Sequence, residues 1–412
     1  MNAFESILTT FPESLRKDIE ELFRCYHFTS SQKLEIVKEE ADLRQWKETP
    51  FVSLADYAAL DARKDGRKGE AYIKALRDHM LNLRRQETDY SGFTPAPHKP
   101  RHVRIVQDDG PLVLSRCPCP VDGEKTRCCK LRTLDTVTQC AFGCAYCSIQ
   151  TFYDETGIHV VSNLEEKLEA LPLEGVWHIG TGQASDSLLL GDDYGSLSAL
   201  ADFAERHPDI AIELKSKSGR NVFTRPYPAN LLFSWSLNAE TIVEKEEHLT
   251  ASLRGRLENA ERARDNGSLV GFHIHPMVLF KGWEDEYAKV AEEITKRFRP
   301  EELYAISIGT LTFTKSVLRR LREKGEESRV LEMELTSAAG KSSYPLETKR
   351  MMFSHVAECF PESYRSGVFF YLCMEDPSLW MPVLGKEYAS DHDFEESMKE
   401  AYLGKIRKKR IT

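Results

Sequence analysis

A chain of 412 residues with 41% hydrophobic content can bury a large core, and 65 acidic against 56 basic side chains give a formal net charge of -9. That balance excludes a globally basic nucleic-acid binder and leaves room only for local basic surfaces. No basic stretch precedes an apolar core at the N-terminus, and no run approaches about 18 apolar residues, so the sequence predicts a cytoplasmic protein with no membrane partner.

Residues 1–95 carry helical periodicity and dense charge, as in 15–25 and 70–85, and predict a helical N-terminal extension with solvated polar faces. Pro95, Pro97 and Pro100 then break the pattern, and residues 96–130 read as a linker and cysteine-rich lead-in. Arg116-Cys117-Pro-Cys119-Pro and Arg127-Cys128-Cys129 lie in it. Adjacent cysteines do not both reach one ion without backbone strain, so packing is preferred there to a second metal site. The ten cysteines cluster in one region of a large chain, which favours reduced thiols and metal ligation over disulfides.

From residue 131 strands and helices alternate. The β-branched stretch 131–138 leads through a cysteine loop to a helix at 163–171, with Asn163 as its N-cap. Strand 176–180 precedes helix 197–206, and strand 210–214 is followed by a short crossover. Strand 231–237 precedes helix 249–266, strand 269–280 precedes helix 284–298, and strand 303–311 precedes helix 315–324. Six such units predict an α/β fold, a partial (β/α)₆ barrel over 131–325, with its site where the βα loops emerge. Residues 326–412 read as a C-terminal extension holding the apolar run 367–373 and the solvated basic end Lys405-Ile-Arg-Lys-Lys-Arg410.

Cys140, Cys144 and Cys147 stand at CxxxCxxC spacing directly after the first strand. Soft thiolates suit iron-sulfur chemistry, and three of them leave one iron of a [4Fe-4S] cubane open to a substrate or cofactor. The bland readings are three buried free cysteines or three of four zinc ligands. Gly180-Thr181-Gly182-Gln183 ends the second strand, where glycine lets backbone approach a ligand closely. Lys215-Ser216-Lys217-Ser218 ends the third and Ser234-Trp-Ser236-Leu-Asn238 the fourth, supplying a cation and small hydrogen-bonding groups for a carboxylate and a ribose. His273 and His275 share one strand face. Satisfied interior histidines are the preferred reading, and a site role stays open for His275 beside Pro276. Lys215, Lys217, Arg220 and Arg225 against Glu213 give a local positive excess suited to steering a phosphate-bearing substrate.

The cysteine spacing, with Tyr146 before the last cysteine, resembles that of the radical S-adenosylmethionine (SAM) enzymes. With Cys119-Pro, Cys128-Cys129, Gln150, Ala184-Ser185-Asp186, Ser234/Ser236/Asn238 and Gly271-Phe-His it resembles the spore photoproduct lyase family, over roughly residues 117–320. That resemblance implies a radical SAM partial barrel. It further implies that Cys140, Cys144 and Cys147 ligate a [4Fe-4S] cluster whose open iron is chelated by SAM. Lys215, Ser236 and Asn238 become SAM contacts, beside the Gly180, Thr181, Gly182 and Gln183 loop. Tyr146, Gln183 and His275 are the candidate catalytic residues. The family's founding activity splits a methylene-bridged thymine dimer in DNA through a 5′-deoxyadenosyl radical, which implies a nucleic-acid substrate and an electron donor such as flavodoxin or ferredoxin.

Three positions depart from the family pattern. A family cysteine two residues before the Ser-Asp pair, which donates a hydrogen atom to the substrate radical, is Gln183 here, and an amide cannot replace a thiol in that step. A tyrosine after the third cluster cysteine is Ser148, and an arginine of the last barrel strand is Thr312. The sequence therefore predicts a radical SAM enzyme with a DNA photolesion as the leading substrate. A radical SAM enzyme on a non-DNA substrate, a non-catalytic iron-sulfur redox protein and a nucleic-acid-binding module are the competing readings.

Overall fold

The computed structural model describes residues 3–62, 67–98, 104–117, 125–154 and 156–411; Pro100 and Cys119, singled out above, lie outside them. The chain forms two compact units, and both are discontinuous in sequence.

One unit comprises Met1–Pro97, Leu279–Lys281 and Thr312–Tyr344. Its helices include Glu13–Cys25, Ser30–Trp46 and Lys68–Arg85, with Lys315–Lys324 added from the later segment. Thr29 opens the second of these through a reciprocal capping box with Gln32, which satisfies donors that a helix start leaves orphaned. The core is built from Ile7, Ile19, Ile36, Trp46, Tyr72 and Leu76. Two carboxylates are wholly buried in it. Glu40 accepts the amides of Phe51 and Val52 at 3.1 and 2.7 Å, and Asp42 lies between Arg84 and Arg322 at 2.8 and 2.6 Å. The helix 315–324, expected as the last barrel crossover, and Thr312, expected in a barrel strand, belong to this unit; Thr312 sits in a small antiparallel sheet opposite Ser343.

The other unit, His98–Val278, Gly282–Leu311 and Pro345–Thr412, is built on an eight-stranded sheet. Its strands are β1 (Leu114–Arg116), β2 (Arg132–Leu134), β3 (His178–Thr181), β4 (Ala211–Ser216), β5 (Leu231–Leu237), β6 (Val270–Met277), β7 (Leu303–Thr310) and β8 (Phe369–Leu372). They lie side by side in chain order. β1 pairs antiparallel with β2, and every later neighbour pairs parallel. Helices Ser196–Arg206, Leu253–Asp265, Trp283–Arg297 and Leu346–Glu358 cover the outside, so central strands such as β7 are buried along their whole length. All six expected parallel strands are present. The apolar run 367–373 supplies a seventh, so the C-terminal segment extends the sheet instead of flanking it. Asn163 precedes the helix Leu164–Glu169 as expected, but with φ 49° and no side-chain cap bond.

Two features shape the sheet into a half-barrel with a closed base. The Arg127 amide donates to the Glu375 carbonyl at 3.0 Å, its guanidinium donates to the carbonyls of Tyr388 and Ala389, and the Cys128 amide donates to Asp391 at 3.1 Å. These bonds tie the segment before β2 to the segment after β8. The C-terminal helix Asp391–Ile411 buries Phe394, Met398, Tyr402 and Ile406, one at every fourth position. Tyr402 packs its ring against Trp177, His178, Tyr304 and Phe369, all at the N-terminal ends of strands. The helix thus stoppers the barrel opposite the βα loops, each such side chain contributing about 1.5–3 kcal/mol of burial. No helix among the described residues is long and apolar enough to cross a membrane.

Candidate functional site

Cys140, Cys144 and Cys147 lie on the loop that leaves β2, above the C-terminal ends of the parallel strands. A short strand within the loop, Gly143–Cys144, pairs antiparallel with Glu247–His248, Cys144 standing opposite Glu247. The Ala145 amide donates to the Glu246 carbonyl at 2.7 Å, and Gln150 Nε2 donates to the Cys144 carbonyl at 2.8 Å. From the other side Ser185 Oγ donates to the Gln139 carbonyl at 2.7 Å. Gly143 is required by a close approach: a Cβ there would meet the His98 imidazole at 2.5 Å, and that ring stacks on His248.

Burial favours the protonated thiol at Cys140 and Cys144. The Cys144 thiol is pushed up to about 12 and Cys140 also rises, each further raised by the neighbouring loop thiols. Three soft donors within electrostatic reach of one another on a single loop form a set that a metal would deprotonate on binding. Among the described residues no three His, Cys, Asp or Glu groups converge on a single ion. An iron-sulfur cubane takes one thiolate per iron, and three cysteines on one loop are a donor set of that kind.

Beneath the loop lies a buried charge network centred on Glu247. Arg256 Nη2 reaches it at 2.5 Å, Lys217 Nζ at 2.9 Å and Asn238 Nδ2 at 3.1 Å, and the Tyr146 hydroxyl donates to it as well. Burial alone would raise the Glu247 carboxyl; Arg256 and Lys217 instead hold it well below the usual carboxylate range. The Lys217 ammonium also donates to the Tyr146 hydroxyl at 2.5 Å, lies over its ring, and stands 4.0 Å from Cys144 Sγ. Asn238 has its amide fully engaged, with the Pro276 carbonyl at 2.9 Å and the Tyr287 hydroxyl at 2.6 Å as further partners. It braces Glu247 and keeps no free donor or acceptor for a ligand.

The strand ends beside this network form a compact ledge. Gly182 has φ 78°, and a Cβ would meet Ser187 Oγ at 2.6 Å and the Lys215 carbonyl at 2.8 Å. Glycine is therefore the residue that lets the loop after β3 cross the end of β4. Thr181 Oγ1 and Ser187 Oγ lie 2.6 Å apart. Gly180 sits under Leu131, which a Cβ would meet at 2.8 Å. Asp186 is buried and accepts the Lys217 amide at 2.6 Å and Ser216 Oγ at 2.8 Å, locking the strand end in place. Ser236 gives its carbonyl to Arg256 Nη1 at 2.8 Å.

Deeper in the barrel the lumen has its own polar core. Glu213, fully buried, accepts from Ser234 Oγ at 3.1 Å and Tyr304 OH at 3.0 Å, and meets His178 Nε2 at 3.0 Å and His273 Nε2 at 2.7 Å. Burial opposes its charge, but Lys215 and His273 hold its carboxyl well below the ordinary range. His273 bonds Ser307 through Nδ1 and is a satisfied interior histidine. Burial lowers His275 to about 4, so it presents a neutral imidazole at ordinary pH. Gln183 lies at the rim, its Oε1 4.0 Å from the Cys117 thiol.

Of the residues expected from sequence, the structure gathers Cys140, Cys144, Cys147, Tyr146 and the 180–183 loop at one mouth. Lys215 lies one step lower on the same strand face, 3.9 Å from Glu213 Oε2. Lys217, expected only as part of the local positive excess, brings its ammonium to the cysteine loop, 4.0 Å from Cys144 Sγ. Glu247 and Arg256 went unmarked because nothing local separates them from the other charges of residues 240–265.

The fold is that of the radical SAM partial barrels. The chain is similar over part of its length to the spore photoproduct lyases. Residues 216–344 match the family model described as spore photoproduct lyase. A 69-residue stretch is 29% identical to the spore photoproduct lyase of Clostridium acetobutylicum, covering 17% of this chain and 20% of that protein. The match therefore spans about a fifth of the length of this curated relative. A mutant spore photoproduct lyase solved with bound AdoMet and dinucleoside spore photoproduct superposes with a TM-score of 0.51 at 17% identity, over 73% of this chain and 94% of that one. A further structure, spore photoproduct lyase complexed with dinucleoside spore photoproduct, gives 0.49 at 19% identity, over 65% and 82%. At these identities the structural likeness is one of fold.

Proposed function

We propose that this chain is a radical SAM enzyme whose substrate enters the barrel lumen from the cysteine-loop end, with a nucleic-acid photolesion as the leading substrate class. The observation that carries the reading is the Lys217 ammonium, held by Glu247 and Tyr146 beside Cys144 at the mouth of a parallel barrel. In this reading Cys140, Cys144 and Cys147 hold a [4Fe-4S] cluster and Lys217 meets the SAM carboxylate. When bound and reduced, by a donor such as flavodoxin or ferredoxin, the pair supplies a 5′-deoxyadenosyl radical for hydrogen abstraction.

The remaining roles belong to the chain itself. Tyr146, pinned between Glu247 and Lys217, keeps the loop from shifting when a ligand loads. Ser236 and the Gly180, Thr181 and Gly182 ledge offer small hydrogen-bonding groups and close backbone approach for the rest of the cofactor. Asn238 acts through Glu247 and not on the ligand. The helix-stoppered base excludes water from the chamber, which protects radicals from side reactions.

The nucleic-acid assignment is supported by the family likeness and by what the solved relatives bind, and one fold hosts many reactions. Gln183 counts against repair of the thymine dimer itself, because the family's hydrogen-donating thiol is absent from that position. A non-DNA substrate is the second reading on this observation. Anaerobic incubation of reconstituted, reduced protein with SAM, with and without UV-irradiated DNA, separates the two. 5′-Deoxyadenosine release is expected in both arms, with repaired thymine slow or absent by mass spectrometry. No SAM cleavage in either arm overturns the radical assignment, and fast multiple-turnover repair overturns the argument from Gln183.

A further inference from the structure

Tyr287 belongs to the helix Trp283–Arg297 outside the sheet and is fully buried, yet its hydroxyl reaches the end of β5. It accepts the Val278 amide at 2.8 Å, and its single proton goes to Asn238 Oδ1 at 2.6 Å. The Ala239 amide donates to the same oxygen at 3.0 Å. With two donors on its oxygen, the Asn238 side chain turns its NH₂ the other way, where the Pro276 carbonyl and Glu247 Oε1 accept at 2.9 and 3.1 Å. A reversed amide would set donor against donor at Ala239 and oxygen against oxygen at Pro276 and Glu247. One orientation satisfies all four contacts, and the Tyr287 hydroxyl helps to select it.

The preceding residue grips the same segment. Glu286 accepts the Thr241 amide at 2.9 Å and the Thr241 hydroxyl at 2.6 Å. Residues 238–247 lead from β5 to the short strand that clamps the cysteine loop, so two consecutive residues of one helix hold the start of that lead. Its far end carries Glu247, whose Oε1 takes Asn238, Lys217 and Tyr146 together. Hydrogen bonds therefore run unbroken from Val278 through Tyr287, Asn238 and Glu247 to the Lys217 ammonium. A phenylalanine would fill the ring's place beside Trp283, and only the hydroxyl takes part in this chain of bonds.

We propose that Tyr287 is a positioning residue for the cysteine-loop end of the barrel. Through Asn238 it fixes the Glu247 carboxylate, and through that carboxylate the loop and the Lys217 ammonium. The consequence for SAM rests on reading Lys217 as the contact to its carboxylate; the consequence for the loop does not.

Tyr287→Phe deletes the hydroxyl alone. Tyr364→Phe is the control, because the Tyr364 hydroxyl donates to the Thr295 carbonyl at 3.0 Å, near the other end of the same helix. Hydrogen exchange of the full-length protein, purified anaerobically and before SAM is added, reads the loop. Amides of residues 143–147 should exchange about three- to tenfold faster in Tyr287→Phe, the worth of one hydrogen bond, and within about twofold of wild type in Tyr364→Phe. Equilibrium dialysis reads the ammonium. Tyr287→Phe should raise the SAM dissociation constant by about three- to tenfold, and should add nothing in a Lys217→Met background. A general loss of stability would instead move both tyrosine variants alike and add to the effect of Lys217→Met. Wild-type exchange in Tyr287→Phe, equal acceleration in the control, or additive losses in the double variant would overturn the assignment. Wild-type protein that binds no SAM would strike at the proposed function and leave the exchange comparison to decide the role of Tyr287.

Discussion

The Lys217 ammonium lies 2.9 Å from the Glu247 carboxylate, and that pair couples the end of β4 to the short strand clamping the cysteine loop. Arg256 completes it from the helix outside the sheet at 2.5 Å. Three segments distant in sequence meet on one buried carboxylate, so the geometry of the mouth depends on it.

Glu247→Ala should cost about 3–5 kcal/mol in urea unfolding, because it leaves Arg256 buried without its counter-charge. The wild-type pH dependence follows from the depressed Glu247 carboxyl. Its contribution is complete above the unfolded value of about 4.3 and is lost as pH falls toward the lower folded value. An alanine variant as stable as wild type at neutral pH would show that the network stores no stability.

Cys144→Ala should abolish iron loading and visible absorbance after anaerobic reconstitution, whereas Cys129→Ala should leave both in place. The reason is placement: Cys144 shares its loop with Cys140 and Cys147, while Cys129 lies in the segment before β2. Iron retained in the first variant, or lost in the second, would reassign the cluster.

Lys217→Met should weaken SAM binding by about ten- to a hundredfold in equilibrium dialysis, the worth of one charge-assisted hydrogen bond to a carboxylate. Lys215→Met should leave the SAM dissociation constant within about twofold. Circular dichroism of Lys217→Met guards against collapse of the Glu247 network. The opposite ranking would return the cofactor role to Lys215.

In the helical unit, burial raises the Glu40 carboxyl to about 7. A carboxyl that holds its proton more tightly when folded loses stability as pH rises from about 4.5 to 7, by up to roughly 3 kcal/mol. Thermal unfolding should therefore show a falling Tm over that window. Glu40→Gln should flatten the slope while lowering stability throughout, since its NH₂ cannot accept the amide it faces. A slope unchanged in the variant would place the titration elsewhere.

The sequence alone determined what is local. Hydrophobic period located the helices of 1–95 and the six parallel strands, and the spacing of Cys140, Cys144 and Cys147 singled out the cysteine loop, because both signals are carried by neighbouring residues. It also quoted Lys215-Ser216-Lys217-Ser218 as a strand end. What it did not contain was the choice between two lysines two residues apart on one face. Height in the barrel separates them: one level meets Glu247 and Cys144, the next meets Glu213. Glu247 and Arg256 were invisible for the same reason, being charges in charged segments until β-pairing and burial bring them under the loop. Residues 367–373 were only an apolar run until the bond from Arg127 to Glu375 tied the sheet's edges together. A helix of period four became the base of the barrel only once Tyr402 met the rings of Trp177, Tyr304 and Phe369. Local pattern sets which elements form; long-range register, with the burial and charge pairing it enforces, sets which side chains share a site.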